Sequence, residues 1–413
     1  MPLIIKQIPQ ASPKFNELFI VFMANITQIN EVDFVGGKLL LNDAIAKCLL
    51  DVMKINQIQF YRVFELIIKI STFSSDNLNE CEKYFNLNML IENQLSDNNS
   101  DILSKLNCLD QMKSLGEAKH GFKFLEKYFK HLLQYLDGRS EDIINEKFLV
   151  PGILKLFGSL SYYYPKEMHN NYAQFYIYIL NNILLEDASN PDVQMKIELA
   201  LDTLSIMFKN NEAKHIIYNN HKDLLVNRVF KRILKLLQYS INNLRLLSIE
   251  FLSSLVAINF KKNLISNNIN FIEASELALN LFDSFISNLD SLNKNNSMEI
   301  LFNILMNYAK QPFMELRLKS QDCFQSFTQS KWGLNFLLNL SNSGQIFVYY
   351  LTDRSTELEK EGRINKYELV KLVASSEFIL EFIEINQLAS LNKYVKEGPY
   401  YRESEMAVEF QSA

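Results

Sequence analysis

Residues 60–70 read Phe-Tyr-Arg-Val-Phe-Glu-Leu-Ile-Ile-Lys-Ile. Phe60, Val63, Phe64, Ile67 and Ile68 recur at i, i+3, i+4, i+7 and i+8, while Arg62, Glu65 and Lys69 fall on the other side. That spacing is the period of an α-helix buried along one stripe. Residues 222–239 repeat it. Leu225, Val229, Ile233, Leu236 and Leu237 are expected to face in, and Lys222, Arg228, Lys231, Arg232 and Lys235 to face out. Ser12-Pro13 and Asn190-Pro191 read as helix starts, a capping side chain followed by proline at the first helical position.

The apolar phrase comes back along the chain. It begins at Val63, Leu106, Ile153, Ala200, Leu247, Leu318 and Glu368, at intervals of 43, 47, 47, 47, 71 and 50 residues. Armadillo and HEAT units span about 40–47 residues. The long interval, 247–318, is read as an Asn/Lys-rich loop (261–270) plus an extra helical pair near 273–307. No unit of this kind can bury its apolar face alone, so neighbours must stack. The fold expected is all-α, an armadillo/HEAT-like helical-repeat solenoid. Its expected divisions are an irregular segment 1–11, a single solenoid of about seven to eight repeats over 12–397, and a tail 398–413. Soft points are expected at 94–101, 261–270 and 355–363.

Composition agrees. Gly (11) and Pro (8) total 19 in 413 residues, where average usage gives roughly 50. Sandwiches, barrels and nucleotide-binding sheets need those turn residues. Asn-Asn pairs at 98–99, 170–171, 210–211, 219–220, 242–243, 267–268 and 295–296 are read as their replacement, with Asn taking the left-handed conformation at helix ends.

A net charge of −5 offers no footprint for nucleic acid. The basic helix 222–245 reads as a solvated face, with a patch for an acidic partner surface as the alternative. Leu18 to Ala24 is far shorter than the ~18 residues of a membrane span. Cys48, Cys81, Cys108 and Cys323 form no CxxC and stand apart from the five histidines. They read as reduced core thiols of a cytoplasmic or nuclear protein. No cofactor or metal is expected.

Motifs that carry chemistry are missing from the sequence. There is no P-loop, GxGxxG, HExxH or GxSxG, and Gly36-Gly37 reads as a turn. Lys119-His120-Gly121 reads as a turn between helices. Asp353-Arg354 reads as an ion pair or helix-end cap. Tyr162-Tyr163-Tyr164 is expected to pack repeat on repeat. Tyr400 and Tyr401, beyond a helix stop at Gly398-Pro399, either seal the last repeat or anchor a partner.

Several phrases together resemble one family. QFYRVFELIIKIST (59–72), LVPGILKLFGSLS (149–161), ALDTLSIMFKNNEAKHII (200–217), KQPFMELRLKSQDCF (310–324), VYYLTDRSTELEKEGRINKYELVKLVASS (348–376) and YVKEGPYYR (394–402) occur in order. They are similar to the 26S proteasome non-ATPase regulatory subunit five family. The resemblance implies a helical-repeat chaperone of 19S base assembly, absent from the mature particle. It implies binding to the C-terminal domain of an AAA ATPase subunit. The assembly module would also hold a second ATPase and a large non-ATPase scaffold subunit. The family usually has further repeats before the region matching residues 15–50, so contacts made through them are in doubt here. A chain that is a monomer on its own and no enzyme is expected.

Within the matching segments the expected contact residues are Arg62, Glu65, Glu315, Arg317, Asp353, Arg354, Tyr367, Glu368, Lys371, Tyr400 and Tyr401. Arg62, Arg317, Tyr400 and Tyr401 rank first, because Tyr and Arg dominate interface energetics. The other readings are an armadillo-type adaptor for extended peptides, like importin-alpha or beta-catenin, and an enzyme whose site the motifs miss. Adaptor grooves of that kind use regularly spaced Trp and Asn, and this chain has one tryptophan, Trp332.

Overall fold

The computed structural model describes residues 43–96, 102–136, 143–258, 270–289, 294–340 and 343–401. Among these residues the chain is α-helical, with one π-helical turn at Leu225–Phe230, one 3-10 turn at Ile379–Glu381 and no strand. It divides into two compact units, residues 1–178 and 179–413. The segment expected at 1–11, residues 402–413 of the tail expected at 398–413, Ser12-Pro13 and Gly36-Gly37 lie outside the described residues, as do most of the soft points at 94–101 and 261–270.

In the first unit the helices are α1 (Asp43–Met53), α2 (Gln57–Phe73), α3 (Ser75–Phe85), α4 (Leu87–Ser96), α5 (Ile102–Gly116), α6 (Lys119–Gln134), α7 (Ile143–Tyr163) and most of α8 (Pro165–Ile183). α2 packs on α5 and α5 on α7. Val63 and Leu106 lie on the first two and Ile153 on the third, so the sequence register marks a row of stacked helices. Val63, Phe64, Ile67 and Ile68 are buried, as the opening stripe requires. Hydrogen bonds join residues one repeat apart. Gln57 donates to Ser104 Oγ (3.0 Å), Tyr164 OH to Glu117 O (2.6 Å), and His120 Nε2 meets Ser71 O at 2.8 Å. Tyr164 therefore packs repeat on repeat, with its ring 4.7 Å from that of Phe122. Gly152 allows the α5–α7 approach, because a Cβ there would lie 2.9 Å from Leu109 Cδ1.

In the second unit follow α9 (Pro191–Met207), α10 (Asn211–Asn220) and α11. The last is one run made of Lys222–Leu224, a π-helical turn Leu225–Phe230 and Lys231–Tyr239. Then come α12 (Asn242–Val256), α13 (Phe271–Ile286), α14 (Lys294–Ala309), α15 (Met314–Phe327), α16 (Lys331–Leu338), α17 (Ser343–Thr352), α18 (Lys360–Ala374) and α19 (Ile385–Glu397). α9, α12, α15 and α18 form the stacked row. Ala200, Leu247, Leu318 and Glu368 each fall on one of them.

α12 packs directly on α15 across the long interval. The pair α13 and α14 is therefore not extra. It holds the place that α16 and α17 hold between α15 and α18, and the interval is long because both helices run 16 residues. The bonds shift by the same amount. Tyr308 OH donates to Leu237 O (2.6 Å), 71 residues away, while Arg232 donates to Leu185 O (2.6 Å) at 47. Arg232, expected to face out, is thus drawn inward to hold the carbonyls of Leu185 and Glu186.

The reading of asparagine needs correction. Among the described residues only Asn86 has a positive φ without being glycine. Asn56, Asn190, Asn210 and Asn270 instead sit at helix starts, their side chains accepting backbone N–H groups. The short amide reaches the orphan donors of a first turn, and this outweighs the αL option at a helix end. Asn170-Asn171 lies inside α8.

Candidate functional site: a polar cleft at the C-terminal helices

A cleft of about 670 Å³ lies among the last helices of the second unit, with Tyr349, Arg354, Arg363, Lys393, Tyr394 and Tyr401 in its wall. Its floor is a buried polar network. Arg317, on α15, is 6% exposed, and its Nε lies 3.1 Å from Glu357 Oε2. Gln321 Nε2 donates to Glu357 Oε1 (2.6 Å) and to Tyr350 OH (3.0 Å). Lys366, on α18, is fully buried; its Nζ donates to Asp353 O and Thr356 Oγ1 and stands 4.4 Å above the Tyr350 ring. Burial pushes the Lys366 ammonium down to about 8 and the Tyr350 phenol up.

These bonds pin the segment 353–359 between α17 and α18. Gly362 makes the arrangement possible, since a Cβ there would fall 2.2 Å from Glu357 Oε2. Burial alone would raise the Asp353 carboxyl. It is nevertheless held below the usual range by hydrogen bonds from Ser355 N (2.9 Å) and Oγ (2.7 Å), and by Lys366 and Lys310.

Arg354 ties the end of α19 to this floor. Its guanidinium donates to Gly398 O (2.9 Å), Tyr394 O (3.2 Å) and Glu397 Oε2 (3.1 Å). It lies 3.8 Å from the Tyr394 ring centre and 5.2 Å from that of Tyr401. Gly398 (φ 82°) supplies the reversal that ends α19 and brings Tyr401 back over Arg354. Glycine takes that conformation without steric cost.

The carboxylates are all engaged: Glu357 with Arg317 and Gln321, Glu397 with Arg354 and Lys393 (3.7 Å), Asp353 with Ser355. Such a cleft suits recognition through rings and hydrogen bonds. General acid–base work needs an uncommitted group poised near its substrate.

The expected contact residues divide. Asp353, Arg354 and Tyr401 line the cleft, and exposed Tyr400 follows Pro399 at its edge. Tyr367 donates its OH to Val395 O (3.4 Å), tying α18 to α19. Glu368 lines a shallower groove of about 460 Å³ with Leu318 and Asp322, and pairs with Lys371 at 3.7 Å. Glu315 is exposed on α15. Arg317 is a correction: it is no surface residue, because Glu357 and the carbonyls of Gln311 and Pro312 take it inward. Arg62 and Glu65 belong to the first unit, half-exposed on α2, where Glu65 pairs with Lys69 at 2.8 Å.

Sequence reading missed Glu357, Lys366, Tyr394 and Glu397. Each stands inside a quoted phrase, but a polar residue's type gives no sign of whether it faces inward. Trp332 stands at the start of α16, its ring between Phe282 (5.5 Å) and Phe327 (6.0 Å). It packs within the fold and is no rung of a peptide ladder. Among the described residues no three His, Cys, Asp or Glu converge as metal ligands, and no helix is long and apolar enough to cross a membrane.

Rows of stacked helices closed by a polar terminal cleft define the class, an armadillo-like helical-repeat protein. The family model described as proteasome non-ATPase 26S subunit matches residues 37–413, so the chain belongs to that family. The human 26S proteasome non-ATPase regulatory subunit 5 is 27% identical over 373 residues, covering 89% of this chain and 66% of its own length. The Drosophila melanogaster protein of that name is 22% identical over 408 residues, covering 95% of this chain and 72% of its own. This chain thus spans about two thirds of the curated relatives it matches. Among solved structures, a designed armadillo repeat protein is similar at 10% identity and a TM-score of 0.35, over 68% of this chain and 98% of its own.

Proposed function

We propose that this chain is a non-catalytic chaperone for assembly of the 19S base, binding the C-terminal domain of one AAA ATPase subunit. The observation that carries the reading is the family match over residues 37–413. The stacked rows add support. They offer a stiff surface that can hold one folded domain without rearranging, which limits the entropic cost of binding. The chaperone would cover the ATPase face that docks on the 20S ring and so delay premature docking. It would act in the cytoplasm or nucleus, in a module with a second ATPase and a large non-ATPase scaffold subunit.

Arg354, Asp353, Tyr400 and Tyr401 are the first contact candidates, followed by Arg62, Glu65, Glu315, Tyr367, Glu368 and Lys371. The test presents the C-terminal domain of each ATPase subunit of the 19S base to the immobilised chain. Retention of one, weakened by Tyr400→Ala with Tyr401→Ala, is expected. Retention of none under conditions that preserve base intermediates would sink the proposal.

A further inference from the structure

The cleft makes no use of α11. Its inward residues Leu225, Val229, Phe230, Ile233, Leu236 and Leu237 are all buried. The π-helical turn Leu225–Phe230 is an uncommon element, often kept where it serves a function. Here it holds Leu225, Val229 and Phe230 inside together and leaves Arg228 exposed. Lys231, Lys235 and Tyr239 follow Arg228 at i+3, i+7 and i+11, all exposed, Tyr239 by 83%. Residues so spaced share one helix face, and this face runs about 16 Å at 1.5 Å per residue.

Among the described residues, no carboxylate lies within ion-pair distance of Arg228, Lys231 or Lys235. The contrast with other surface lysines is plain: Lys209 and Lys319 both reach Glu250. The chain carries 47 acidic residues and a net charge of −5. Three adjacent cations left unanswered on an acidic protein, with an exposed aromatic ring beside them, are the anomaly.

We propose that this face of α11 docks an acidic helical segment of a protein partner, with carboxylates three to four residues apart facing Arg228, Lys231 and Lys235. Complementary charge would steer and register the segment, and Tyr239 would supply an apolar anchor. A duplex nucleic acid fits less well, because the whole chain is acidic and one ring is no stacking platform. A bilayer fits less well, because the stripe has no apolar partner face to insert. The proposal does not rest on the proteasomal reading.

The test uses the full chain and a fluorescent helical peptide with Glu at i, i+3, i+7 and i+11. A peptide of equal composition with its Glu residues clustered is the control. The matched peptide is expected to bind more tightly, the more so at low salt. The variant R228E/K231E/K235E is expected to lose roughly tenfold or more in affinity, with its circular dichroism and melting unchanged. Should that variant fold poorly, K231Q/K235Q reads the same loss with less change in charge. The idea is overturned by equal binding of the two peptides or by unchanged binding in the folded variant. Tighter binding to duplex RNA or to phosphatidylserine vesicles than to the peptide would also overturn it.

Discussion

Arg317 shows what a single residue's type leaves undecided. In sequence it is one Arg among the charged residues of α15, and interface statistics favour it as an anchor. In the fold it is 6% exposed, with its Nε on Glu357. Removing one partner of a buried ion pair strands the other, a loss of about 3–5 kcal/mol. Arg317→Ala is expected to lose that much in urea unfolding. Arg317→Met with Glu357→Leu should lose markedly less, because neither charge is then buried alone. Equal losses would mean that the pair is not coupled as described. Three of the four cysteines are core thiols as read, while Cys48 is half-exposed. Cys81, Cys108 and Cys323 are buried, and burial pushes the Cys81 and Cys108 thiols up to about 12. A thiol reagent should therefore reach these three only on unfolding.

At the scale of the element, start signals were legible and their chemistry was not fully so. Asn190-Pro191 opens α9 as read, Asn190 accepting from Asp192 N. The role of asparagine as N-cap rather than left-handed stop emerged only from backbone angles, since both uses place Asn between helices. Asn210 is 1% exposed and accepts from Glu212 N and Ala213 N. Asn210→Ala is expected to cost about 1–2 kcal/mol, near the upper end for a lost cap, read as a lower melting temperature. Asn210→Asp should largely restore it. Gly333 is a second case. A Cβ there would lie 2.0 Å from Phe327 O, so α16 starts where the last turn of α15 already ends. Gly333→Ala must push the two helices apart, with a loss of about 1–3 kcal/mol expected from overpacking.

At the scale of the whole molecule, stability should depend on pH through buried lysines. Lys214, on α10, is 1% exposed, its Nζ donating to Ala257 O. Burial pushes its ammonium from 10.5 down to about 7, and that of Lys366 down to about 8. Between those values and 10.5 the unfolded chain holds more protons than the folded one. Stability should therefore rise with pH across that window. Cys81 and Cys108 oppose this from about pH 9, the usual thiol value. The gain is thus read between pH 7 and 9, as a rising urea midpoint. Lys214→Met should reduce the slope, and an unchanged slope would assign the effect elsewhere. Repeat packing gives another expectation. Ending the chain at Thr352 would bare the faces of α15 and α17 that α18 and α19 cover, including the Tyr350 ring beneath Lys366. Increased binding of a hydrophobic dye is expected.

The spacing of apolar residues is enough to make each unit a set of stacked helices and to place its stacked row. The period of apolar residues within a helix and the interval between apolar phrases are both local properties, and burial leaves them no other solution. Val63 therefore marks the row of the first unit, and Leu247 and Glu368 that of the second. Which polar groups turn inward is settled by the packing of one helix on another. Lys366, Glu357 and Arg232 look like any solvated charge along the chain. Their burial is set by partners 9 to 47 residues away, Glu357 by Lys366 and Arg317, Arg232 by the carbonyl of Leu185. That choice depends on where neighbouring helices place a carbonyl or a carboxylate, which no single helix encodes.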